Sequence, residues 1–73
     1  MSGNLETLSK MVDKRVRLIV DDDKEIICIP EECDETDEGE KAYRVANVGG
    51  KDTHLYGRWP IFTEQDIQQI EVL

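Results

Sequence analysis

Seven carboxylates crowd the stretch PEECDETDEGEK: Glu31, Glu32, Asp34, Glu35, Asp37, Glu38 and Glu40, with no cation before Lys41. Carboxylates at this density could cage a hard cation or draw a basic partner. Calcium does not fit the spacing. If Asp34 opened an EF-type loop, Gly39 would suit the sixth place, but the twelfth, which needs a bidentate Glu, is Val45. Zinc fails by count, since Cys28, Cys33 and His54 are three soft ligands with no fourth partner. Covalent chemistry is no better served. The single histidine has no serine near it, no glycine-rich run could cradle a phosphate, and Glu32 and Asp34 flank Cys33 and work against a thiolate nucleophile. The residues predict no enzyme, no metal and no cofactor. They leave the acidic run over 31–41 as a solvated loop or as a lure for a basic partner.

A second stretch, HLYGRWPIF, interleaves aromatic and basic groups. Read as a strand, it turns Leu55 and Trp59 toward the core and His54, Tyr56 and Arg58 toward solvent. His, Tyr and Arg on one face could stack on bases or anchor a protein groove. They could equally cover a subunit contact or pack on a helix. A basic set, Lys10, Lys14, Arg15 and Arg17, could meet phosphate, or could pair with the acidic run within or between molecules.

The elements that must position these groups are short. At 73 residues the chain makes one domain, 1–73, with a marginal core. Leu5, Leu8, Met11 and Val12 recur at helical spacing, so a helix over about 4–12 is expected, capped by Ser2 or Asn4. Val16, Leu18 and Val20 then alternate as a strand, and Asp21, Asp22 and Asp23 suit a turn because Asp tolerates left-handed backbone. EIICI is apolar on both faces, which predicts a central strand ended by Pro30. AYRVANV, GGKD and THLYGRW read as strand, turn and strand. In the tail, Thr63 and Asp66 favour one helical turn near 64–67 and a last strand over 68–72; a continuous helix over 64–72 is the alternative.

This order, with the helix over about 4–12, the strand RVRLIV before an acidic turn and the ending PIFTEQDIQQIEVL, resembles the Sm-like small barrels. The resemblance implies a mostly β fold: a five-stranded, strongly bent barrel with a short N-terminal helix, often assembled into rings through its fourth and fifth strands, with RNA a frequent ligand. LYGRW departs from the family's second motif, in which an arginine–glycine pair is usual. The acidic run stands near where the first motif places an Asp and an Asn.

Charge bears on the partner. The chain carries −8, yet without the seven carboxylates of the run ten acids face nine bases. The body is nearly neutral and the field of the whole chain opposes nucleic acid. No apolar leader or membrane span is visible, and two cysteines suit a reduced, cytoplasmic setting. The reading is a non-enzymatic module for protein–protein contact or self-assembly. Single-stranded RNA binding in the Sm-like manner is an alternative, as is an acidic decoy that mimics nucleic acid before a basic partner.

Overall fold

The structure is a computed structural model and describes residues 3–73. Helix α1 (Asn4–Ser9) precedes β1 (Val16–Val20), β2 (Lys24–Glu35), β3 (Lys41–Gly49), β4 (Ile61–Thr63) and β5 (Ile67–Val72). The five strands form one antiparallel sheet in the order β4-β3-β2-β1-β5. The fold is mostly β with a short N-terminal helix, and the sheet is open: no ladder joins β4 to β5 among the described residues.

Open does not mean flat. Laid flat, the outermost of five strands would lie about 19 Å apart. Residues 64–66 alone link β4 to β5, a span of at most about 14 Å even when stretched. The link is also a tight turn: the Asp66 N–H donates to Thr63 O at 3.2 Å, and the Thr63 N–H donates to Asp66 Oδ2 at 2.9 Å. The sheet must therefore curl. Two bulges in the β2–β3 ladder, the first at Val48 of β3 opposite Ile27 and Cys28 and the second at Glu31 of β2 between Pro30 and Glu32, supply the bend. Pro30, expected to end the strand, instead lies buried beside the second bulge, where its missing N–H costs no ladder bond.

Curling turns one face of every strand inward. Val16, Leu18 and Val20 of β1 meet Ile26 and Cys28 of β2, Tyr43 and Val45 of β3, Phe62 of β4 and Ile67 of β5. Leu8 of α1 joins them fully buried, with Leu5 and Met11 packed alongside. The helix is shorter than its apolar stripe predicts, and Val12 falls beyond it, exposed. Of the two expected caps, Ser2 lies outside the described residues and Asn4 does not cap. The cap comes from the far end of the chain. The Asn4 and Leu5 N–H groups donate to the two Glu64 carboxylate oxygens at 2.6 and 3.1 Å, and Asn4 Nδ2 donates to Ile67 O at 2.8 Å.

The tail takes the turn and strand, not a continuous helix, and Asp21, Asp22 and Asp23 all hold positive φ in the β1–β2 turn. Two further expectations fail. Residues 31–35 are strand, not loop. β2 runs on to Glu35 and pairs with the start of β3 through Glu32↔Arg44 and Glu35↔Lys41, opposite charges facing each other. The tip is closed by Thr36 and Glu40 around Gly39 at φ 83, the turn-plus-glycine arrangement of a three-residue hairpin loop. THLYGRW is not a strand. Thr53–Leu55 form a 3-10 turn, and β4 begins only at Ile61. Gly57 and Pro60 are the reason, the first leaving no side chain to pack and the second no donor to pair.

Replacing Glu64 by Ala leaves two helix N–H groups without acceptors, so we expect a loss of about 1 kcal/mol and a drop in Tm of roughly 4–8 °C; Glu64→Gln should lose less. Gly50 has φ 112, and a Cβ there would lie 2.8 Å from Ile26 Cα. Gly50→Ala should destabilise by more than about 1 kcal/mol in urea unfolding.

Candidate protein-contact site

The loop over residues 50–60 is held to β2 and β3 at five of its residues. The Glu25 N–H donates to Asp52 Oδ2 at 2.8 Å while the Asp52 N–H donates to Glu25 O at 2.9 Å. Asn47 Nδ2 donates to Thr53 O at 3.1 Å and to Gly57 O at 3.2 Å. Beyond the 3-10 turn, the Asn47 and Val45 N–H groups donate to Arg58 O and Pro60 O at 2.9 and 3.1 Å, which lays the chain along β3.

Tyr56 is the loop's inward anchor. Its ring meets Phe62 edge-on at 5.5 Å, and its hydroxyl donates to Asp21 Oδ2 at 3.0 Å. Burial first, then the hydrogen bond to Asp21, then the charges of Asp21, Asp52 and Asp66 push the phenol up to about 12. His54 and Arg58 point to water. The three residues expected on one outward face are therefore split, with Tyr56 turned in and the other two out.

Trp59 and Leu55, expected in the core, stand outside it at 57% and 53% exposure, and Val48 at the neighbouring end of β3 is 47% exposed. The Arg58 guanidinium lies over the Trp59 ring, 5.6 Å from its centre. A pinned loop thus offers two large apolar side chains and a cation to solvent. The glycine and proline inside the run were the available signal that it is no strand and has no inward alternation. Nothing local in the sequence marks Asn47 as the pin.

The acidic residues form a second surface. Arg44 pairs with Glu31 at 3.3 Å and with Glu32 at 2.5 Å. Asp34, Glu35, Asp37, Glu38 and Glu40 join no ion pair among the described residues. The basic set does not reach them: Lys10 pairs with Glu6 at 3.8 Å and Arg17 with Glu71 at 2.9 Å, while Lys14 and Arg15 are exposed. The pairing of the two clusters within one molecule is therefore not what the fold builds.

Cys28 is buried, Cys33 is exposed, and both are free. Burial pushes the Cys28 thiol up to about 12, which suits its place as a small core side chain. Burial, then Cys33 and Glu32, also raises the Tyr43 hydroxyl. No group of three or more His, Cys, Asp or Glu among the described residues is placed to hold a metal ion, and no helix among them is long and apolar enough to cross a membrane.

The raised groups set a pH dependence. Cys28 and Tyr56 stay neutral in the folded chain to about 12, whereas their ordinary values are 9.0 and 10.0. Their contribution is whole below those ordinary values and is lost as pH rises toward 12, because the unfolded chain ionises first. Stability measured by denaturant should fall across that window, and Tyr56→Phe should flatten the fall. Compared with family models, curated proteins and solved structures, the chain matches none.

Proposed function

We propose that this chain is a non-enzymatic binding module that works by protein–protein contact, with a second copy of itself as the first partner, through the loop bearing Leu55, Arg58 and Trp59. One observation carries the reading: Trp59 and Leu55 are more than half exposed on a loop fixed by Asn47 and Asp52. Fully burying one such side chain is worth roughly 1.5–3 kcal/mol, so covering this pair gives association its driving force. A loop already held in shape loses little freedom on binding. Trp and Arg are also the residues most often found at the energetic centre of interfaces.

We read the curled sheet as an Sm-like small barrel. The strand order β4-β3-β2-β1-β5, the three-residue link between its edges and the N-terminal helix support that reading. A reduced, cytoplasmic setting fits the two free cysteines. The Arg58–Trp59 pair favours one further reading, single-stranded RNA stacked on the indole; the net charge of −8 opposes it.

Trp59 is the single tryptophan, so its emission reports on the loop. From micromolar to millimolar concentration the sedimentation coefficient should rise and the emission shift to the blue. Trp59→Ala should keep the chain monomeric, and a mixed pool of short oligonucleotides should not be retained. A wild-type monomer throughout, or assembly that Trp59→Ala leaves intact, contradicts the proposal. Salt-sensitive retention of oligonucleotides that Arg58→Ala abolishes would establish RNA in its place.

A further inference from the structure

Two surface features are opposite in charge, and one is concave where the other presents exposed apolar side chains. A groove of about 410 Å³ lies between α1 and the far end of the β2–β3 hairpin, lined chiefly by Leu5, Glu6, Cys33, Asp34, Glu35 and Ala42. That volume falls in the range of about 300–1,000 Å³ that takes a bound group. Leu5, Ala42 and Cys33 supply apolar surface, and the carboxylates surround it. Lys41 adds a cation to the lining, and Glu6 is answered by Lys10. Asp34 and Glu35 join no ion pair among the described residues, although Lys41 stands opposite Glu35 in the ladder, and Asp37, Glu38 and Glu40 extend the negative field along the hairpin tip.

The projecting loop is its opposite. Leu55 and Trp59 stand out from it, and Lys51, His54 and Arg58 are exposed around them. Its one carboxylate, Asp52, already accepts the Glu25 N–H. Lys51 and Arg58 join no ion pair among the described residues.

We propose that a second copy of this chain fills the groove, seating its Leu55–Trp59 loop head-to-tail between α1 and the hairpin, with Arg58 and Lys51 against Asp34 and Glu35. This rests on the reading of the loop as a protein contact and goes further by naming what receives it. A chain cannot fill its own groove. The groove lies at the Ala42 end of β3, while the loop is bonded to Asn47, about 17 Å further along the strand. The contact therefore joins unlike surfaces and repeats from copy to copy, closing into a ring or growing as a filament.

Two double variants test this, all four substitutions at exposed positions: Cys33→Arg with Glu35→Lys blocks the groove, and Arg58→Glu with Trp59→Ala disarms the loop. Circular dichroism should match the wild type in both. Wild type should assemble with rising concentration and less so in high salt, and each double variant should sediment as a monomer. Mixed in equal amounts, the variants should form a one-to-one dimer that grows no further, because one intact groove then meets one intact loop. In wild type, the reaction of Cys33 with a thiol reagent should slow as concentration rises. If the loop variant is monomeric but the groove variant assembles like wild type, the groove is wrong while the loop remains a protein contact. Two monomeric variants that do not combine, or a Cys33 rate independent of concentration, also overturn the groove. A loop variant that assembles like wild type, or a wild type that never assembles, overturns the reading of the loop and this inference with it.

Discussion

Thr63 closes one edge strand, Ile67 opens the other, and only residues 64–66 lie between them. Those two strands sit at opposite ends of the sheet order. A link this short cannot span a flat five-stranded sheet, so the sheet must coil, and much else follows from the coil. It gathers inward residues from all five strands into one core, which Leu8 completes from the helix. It also sets Glu64 beneath the start of α1, so one residue serves as a turn position and as the cap of a helix sixty positions away in sequence. Asp66 holds the same corner twice, accepting from Thr63 through its side chain and from Asp21 through its carbonyl.

The acidic run shows how pairing overrides local charge. Residues 31–35 repel one another, and alone they would stay hydrated and extended. Opposite them stand Arg44 and Lys41, and between those two Ala42 and Tyr43 are buried. The strand that carries Tyr43 into the core brings its neighbours alongside the carboxylates. Cross-strand charge then offsets part of the repulsion, with Arg44 answering two of the acids. The excess remains at the tip, where water and salt screen it.

The sequence told its periodic parts well. Val16, Leu18 and Val20 alternate and are buried; Asp21, Asp22 and Asp23 hold the left-handed turn that their side chains tolerate; Thr63 and Asp66 make the last turn before a strand. What escaped was set by contacts distant in sequence. Nothing near residues 31–35 announces a strand, because its partner lies beyond the turn and its support comes from the burial of Tyr43. The cap of α1 is sixty residues away. Leu55 and Trp59 look like core residues by hydrophobicity, and only Gly57 and Pro60 beside them argue otherwise. Of the stretch HLYGRW, His54 and Arg58 are exposed as the alternation predicts, while Tyr56 turns in and Leu55 and Trp59 turn out.

That exchange leaves Leu55 and Trp59 on the surface proposed for contact. The coil consumes the apolar face of every strand, and the loop over 50–60, pinned at Asn47 and Asp52, is left outside with Leu55 and Trp59 uncovered. All of this requires that β4 and β5 come together around the helix. Proton–proton contacts in the monomeric chain, read by nuclear magnetic resonance, measure that most directly. The curled sheet predicts contacts linking Leu8 to side chains of both edge strands, Phe62 and Ile67. A helix in contact with one edge alone would mean that the sheet lies flat.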